Sequence, residues 1–113
     1  MSVATKNIFI VGAKRTPLGA FGGKLKTLSA TDLAVHASQA AIAHAKISPD
    51  LIDETFVGNV IASSLDAAYL SRHVALRAGA PIKAPSLTVN RLCGSGFETV
   101  CLGAESIMLV CQL

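Results

Sequence analysis

The chain has 113 residues, 51% of them hydrophobic and 15% charged, which excludes a disordered or fibrous composition and provides for about one domain with one core. One domain of this length leaves no room for a site assembled between two domains of the same 113 residues. The net charge of +3 is too small to point to a nucleic-acid partner, but it is unevenly spread: residues 1–31 carry +5 with no acid, and the rest of the chain −2.

The elements read as follows in chain order. Residues 7–13 (NIFIVGA) are mostly apolar, as a strand covered on both faces tends to be. The basic residues around them, Lys6, Lys14, Arg15, Lys24 and Lys26, fit a mitochondrial targeting segment and equally a solvated basic face on a core strand. The stretch 12–23 holds four glycines and two basic residues, yet it contains neither GxGxxG nor GxxxxGK[ST], and Pro17 interrupts a helix start. It is predicted to be an ordered crossover loop and not a phosphate loop. Ser29 is a predicted N-cap with Asp32 three residues on, opening a helix that Pro49 closes; Leu33, Ala34, Ala37, Ala41 and Ala45 are expected to face a core. A second strand spans 54–62, and a second helix runs from about Asp66 to Ala78 with Gly79 and Pro81 as its stop. Residues 86–92 form a third, shorter strand that emerges at an edge. A third helix starts at Cys93–Gly94 and reaches about Met108. This β-α-β-α-β-α order with short connections predicts a largely parallel, right-handed α/β sheet.

The three cysteines, Cys93, Cys101 and Cys111, are an odd number with no secretory signal before them, so a reducing compartment fits better than a disulfide framework. His36, His44 and His73 have no cysteine partner at zinc-ligand spacing, and no metal is expected; each is read as structural or solvated. No stretch approaches the roughly 18 apolar residues of a spanning helix.

Chemistry is suggested where the third strand runs into the third helix, Thr88-Val89-Asn90-Arg91-Leu92-Cys93-Gly94-Ser95-Gly96-Phe97-Glu98. At a helix N-terminus the unpaired N–H groups and the macrodipole favour an anion, and hence the nucleophilic thiolate of Cys93. Gly94 and Gly96 remove bulk, so a carbonyl can approach the sulfur, and backbone N–H groups of the turn are candidate oxyanion donors. A buried cysteine in a glycine-containing turn satisfies the same spacing. Cys101, inside an apolar run, reads as core.

The string NRLCGSGFE resembles the active-cysteine motif of thiolases. Residues 13–19 (AKRTPLG) look like that family's first-strand signature, while Gly58-Asn59-Val60 and residues 69–77 (YLSRHVALR) are similar to its second strand and second helix. The motifs keep their order from about Ile8 to Met108, and the residues flanking Cys93 look most like the mitochondrial branch that serves fatty-acid β-oxidation. The resemblance implies part of a thiolase N-terminal domain over 1–113: a three-layer α/β/α unit with a mostly parallel sheet, incomplete. It implies that Cys93 attacks the keto carbonyl of a 3-ketoacyl-CoA, releases acetyl-CoA and passes the acyl group to coenzyme A, with its own backbone N–H helping to hold the thioester oxygen. Coenzyme A enters as substrate, and no bound cofactor is implied.

The departures set further expectations. The family's Asn-Glu-Ala-Phe segment, its Gly-His-Pro histidine that activates the cysteine, its second, acid/base cysteine and its CoA-binding region have no counterpart in these residues. Glu98 stands where glutamine is common, and a carboxylate one turn from the thiol opposes thiolate formation if it points inward. Residues 109–113 leave the pattern. The isolated 113 residues are therefore expected not to turn over. The alternative is a non-catalytic module that associates with full-length thiolase subunits. The resemblance, with the acid-free +5 start, implies a mitochondrial location, the cytosol being the alternative. Val100, Leu102, Ile107, Met108 and Leu109 are expected to lack part of their cover.

Overall fold

A computed structural model describes residues 7–109 of the chain. Its elements are helix α1 (Ala30–Ala45), strand β1 (Thr55–Gly58), helix α2 (Leu70–Ala78), strand β2 (Ser86–Val89) and helix α3 (Ser95–Leu109), with short 3-10 turns at Pro49–Leu51 and Ala67–Tyr69. β1 and β2 pair in parallel, Thr55 opposite Ser86 through Gly58 opposite Val89.

The predicted signals start α1 and stop α2, while α2 begins at Leu70 and not near Asp66, because Ala67–Tyr69 wind as a 3-10 turn. Ser29 Oγ accepts from the Asp32 N–H (3.0 Å) and the Ser29 N–H donates to the Asp32 carboxylate (2.9 Å), a reciprocal cap that satisfies two otherwise orphaned groups. α1 ends as Lys46 turns left-handed, three residues before Pro49. α2 follows the 3-10 turn without a side-chain cap and ends at Gly79, whose φ of 103° is closed to most side chains.

Strand alternation sends Phe56 and Val57 to opposite faces of the sheet. Val57 packs against Val35 of α1 and Leu70 and Val74 of α2. On the other face the ring of Phe56 lies against Gly103 of α3, and the Ser106 hydroxyl of α3 donates to Glu54. The sheet is thus the middle of three layers, with α1 and α2 on one side and α3 on the other. This is the expected α/β/α arrangement, with a sheet of two strands among the described residues. Thr88 ties β2 to α2: its hydroxyl donates to Ser71 Oγ (3.0 Å) and accepts from the Ser71 N–H (3.3 Å). Arg72 clamps the approach to β2 by donating to the carbonyls of Ile82 and Ala84, each at 2.7 Å.

Three expectations need correction. Residues 7–13 form no strand: they join no ladder, and Phe9, Ile10 and Val11 stand exposed. A strand exists only through its partner's hydrogen bonds, and neither β1 nor β2 pairs with this segment. It runs instead against α1, so closely that a Cβ on Gly12 would lie 2.6 Å from the Ala41 carbonyl oxygen. The other two strands are shorter than 54–62 and 86–92, because pairing lasts only while the chains stay in register. The Asn59 N–H makes one more bond, to the Val89 carbonyl (2.9 Å). Lastly, the most buried side chains of α1 are Thr31 and Val35, both absent from the predicted core face, while Leu33, Ala34, Ala37, Ala41 and Ala45 are half-buried.

The core is made largely of small residues. Val35, Leu70 and Val74 are its large members, joined by Ala67, Ala75, Ala78, Ala80 and Ala84. Each large side chain contributes roughly 1.5–3 kcal/mol by burial. Opposed to these stand many exposed apolar side chains, among them Val100, Ile107, Met108 and Leu109 on α3, as expected for a face without a covering layer.

Candidate active site

Cys93 stands two residues before α3, on the turn that leads out of β2, and its side chain is exposed as a free thiol. Side chains build this turn. Asn90, just past β2, accepts the Leu92 N–H on its Oδ1 (3.0 Å). The Gly94 N–H reaches the Arg91 carbonyl and the Ser95 N–H reaches the Leu92 carbonyl, both at 3.0 Å. Ser95, almost wholly buried, locks the same two residues from its side chain: Oγ accepts the Arg91 N–H (2.8 Å) and donates to the Leu92 carbonyl (2.7 Å).

Leu92 adopts φ 50°, the left-handed region that costs a branched L-residue roughly 1 kcal/mol or more. The hydrogen bonds on both sides of Leu92 hold it there, and they carry the next residue, Cys93, out of the protein surface.

Gly58 at the end of β1 makes room for this. A Cβ there would sit 3.0 Å from the carbonyl carbon, oxygen and Cβ of Ser95. The start of α3 therefore rests directly on β1 backbone. Gly94 has a comparable role: a Cβ on it would come within 3.1 Å of the Phe97 ring, which packs over the turn.

The charges that flank Cys93 in the sequence are paired with each other. The Arg91 guanidinium, two residues before Cys93, hydrogen-bonds the Glu98 carboxylate in the first turn of α3. Glu98 is thus turned to Arg91.

The other candidates fall elsewhere. Cys101, expected in the core, is exposed on the uncovered side of α3; its apolar neighbours in sequence do not bury it because no element packs there among the described residues. Cys111 lies outside the described residues. His36 and His44 are exposed on α1, beyond the sheet from α3. His73 stacks on Tyr69, and its Nδ1 lies 2.9 Å from the Asp66 carboxylate, which also accepts from the Ser64 hydroxyl (2.5 Å). The Ser64 and His73 hydrogen bonds hold the Asp66 carboxyl below its ordinary value. The stretch 12–23 is an irregular loop with a turn at Gly23, and a further turn follows at Lys26. Among the described residues no group of three or more His, Cys, Asp and Glu side chains is placed to hold a metal ion, and no helix is long and apolar enough to cross a membrane.

Reading the sequence for nucleophiles singles out Cys93 as a candidate but not the residues that build its turn. Gly58 inside a strand was the available signal, since glycine there marks a close backbone approach. Asn90 and Ser95 around the small-residue turn were the others.

A parallel α/β layer that hands a cysteine to a helix through such a turn defines a class, and comparison with known proteins identifies it. The family model described as the thiolase N-terminal domain matches residues 8–110. The chain belongs to the thiolase family. It is 52% identical over 102 residues to human mitochondrial 3-ketoacyl-CoA thiolase and 55% identical over 102 residues to the mouse protein; each match takes in 90% of this chain and 26% of the relative. An acetyl-CoA acetyltransferase of Clostridioides difficile is 42% identical over 94 residues, covering 83% of this chain and 87% of the relative. In three dimensions the chain matches the crystal structure of human mitochondrial 3-ketoacyl-CoA thiolase in complex with CoA with a TM-score of 0.87, over 89% of this chain and 26% of that one. The Ascaris suum Acat5 thiolase in complex with coenzyme A gives the same TM-score at 31% identity, over 92% of this chain and 27% of that one. The chain thus spans about a quarter of the mitochondrial thiolases it matches.

Proposed function

We propose that residues 1–113 are part of a thiolase N-terminal domain and carry the nucleophile of 3-ketoacyl-CoA thiolysis, Cys93. The exposed thiol on a turn locked by Ser95 and Asn90 carries this reading. The sulfur adds to the 3-keto carbon and the bond between C2 and C3 breaks; C2 takes up a proton and leaves as acetyl-CoA. The acyl group stays on Cys93 as a thioester until the thiol of a second coenzyme A displaces it, restoring the cysteine. This division of one difficult cleavage into two acyl transfers is what a covalent intermediate provides. A 3-ketoacyl-CoA is the substrate class, and the names of the mitochondrial relatives together with the basic, acid-free residues 1–31 support a mitochondrial location over a cytosolic one.

These residues alone do not complete the cycle. His73 is engaged by Asp66, and His36 and His44 lie across the sheet, so none of them supports a role as the base for Cys93. The chain with acetoacetyl-CoA and coenzyme A is expected to show no turnover, and measurable thiolysis overturns that expectation. The nucleophile is tested separately by limiting iodoacetamide at neutral pH with peptide mass spectrometry. Cys93 is expected to be labelled several-fold faster than Cys101 and Cys111, and equal rates overturn the assignment.

A second reading is favoured by the exposed apolar side chains of α3: a non-catalytic module that pairs with full-length thiolase subunits. Co-purification with a full-length 3-ketoacyl-CoA thiolase tests it, and failure to co-purify removes it.

A further inference from the structure

We infer that Arg91 is a positioning residue that keeps the Glu98 carboxylate from suppressing the reactivity of Cys93, so that the two charges act as a matched pair across the cysteine turn. The inference rests on the proposed role of Cys93 and adds to it a reason for two residues that take no part in the chemistry.

Arg91 lies two residues before the cysteine and Glu98 five after it, and their side chains meet. Glu98 is in the first turn of α3, and its own N–H bonds back to the Gly94 carbonyl, so the carboxylate is carried by the same short unit that carries the thiol. A negative charge in a helix's first turn is well placed for the helix and badly placed for a second anion beside it. The guanidinium removes this conflict by taking up the charge of Glu98 in a direct hydrogen-bonded pair. The pair is part-exposed, so its worth to folding is small. Its effect on a neighbouring ionisable thiol does not depend on that worth, because it is set by the net local charge.

The measurement is the rate of iodoacetamide labelling at Cys93 divided by that of N-acetylcysteine added to the same reaction, for the parent, Arg91→Gln, Glu98→Gln and the double variant, with circular dichroism confirming equal helix content. Cys101, one turn from Glu98 on α3, is no neutral reference. Arg91→Gln leaves Glu98 unopposed and is expected to lower the ratio about threefold, the size expected for one unit charge at a solvated site. Glu98→Gln is expected to hold or raise the ratio, and the double variant to return it to the parent value. A purely structural tie between the two residues predicts that the double variant is as slow as Arg91→Gln, and that result overturns the inference, as does an Arg91→Gln ratio equal to the parent. A parent ratio of one counts against the nucleophile assignment, whereas the Arg91 inference is judged on variant against parent. The two therefore fail separately.

Discussion

A hydroxyl sealed in the interior without a hydrogen-bond partner costs free energy that an apolar group of the same shape does not, and Thr31 carries one. Its Oγ is buried on the inner face of α1 next to Val35. Thr31→Val keeps the shape and removes the unsatisfied oxygen, and it is expected to raise stability by about 1 kcal/mol in urea titrations. A loss of stability would mean that the oxygen has a partner. Gly58 makes the opposite case, since added volume there has nowhere to go. Gly58→Ala drives a methyl into Ser95 backbone, and overpacking of this kind costs about 1–3 kcal/mol. Because Ser95 locks the cysteine turn, the same variant is expected to bring the labelling rate of Cys93 closer to that of Cys101. An unchanged ratio would show that the turn holds its shape without β1.

At the scale of elements, α1 and α2 are joined by charge as well as by packing. The Arg77 guanidinium donates to the Asp32 carboxylate at 2.8 Å, and Gln39 Nε2 donates to the Arg77 carbonyl at 3.0 Å. Asp32 therefore serves both the cap of its own helix and the contact with its neighbour. The Ser29 backbone N–H, then the Arg77 side chain and the Ser29 hydroxyl, lower its carboxyl from 3.8 to about 2. A carboxyl whose value is lower in the folded chain contributes stability in full above pH 3.8, and loses it as the pH falls to about 2. The stability gap between the parent and Asp32→Asn, read from urea unfolding, is expected to be constant near neutrality and to close over that acid window. A gap independent of pH would remove the charge from the account. Ser29→Ala, which deletes the cap oxygen and its hydrogen bond to the Asp32 carboxylate, is expected to cost about 1 kcal/mol near neutrality and less as that carboxyl protonates.

At the scale of the molecule, the described residues are short of cover. Phe9, Ile10, Leu18, Phe21, Phe97, Val100, Ile107 and Leu109 are all exposed, while the interior is built mainly of alanine. A two-stranded sheet is marginal by itself, and exposed apolar surface on this scale favours association. Sedimentation velocity is expected to show self-association that grows with concentration, and Val100→Lys with Ile107→Glu on α3 to reduce it. A chain that stays monomeric as concentration rises, without binding a hydrophobic dye, would contradict this.

Much of this was present in the order of residues. The capping box of Ser29 and Asp32, the stop at Gly79 and the small-residue turn at Cys93 act through neighbours three or four positions away, so local chemistry determines them whatever the rest of the chain does. The motifs around Cys93 likewise carried the family, because they are contiguous. The remainder was decided in three dimensions. An apolar run such as 7–13 is a strand only if another chain segment offers it hydrogen bonds. Cys101 is buried only if some element covers its side of α3, and the Arg91–Glu98 pair exists only because the turn folds its two ends together. Partners, cover and the meeting of distant charges depend on which surfaces come into contact, and that is a property of the packed molecule.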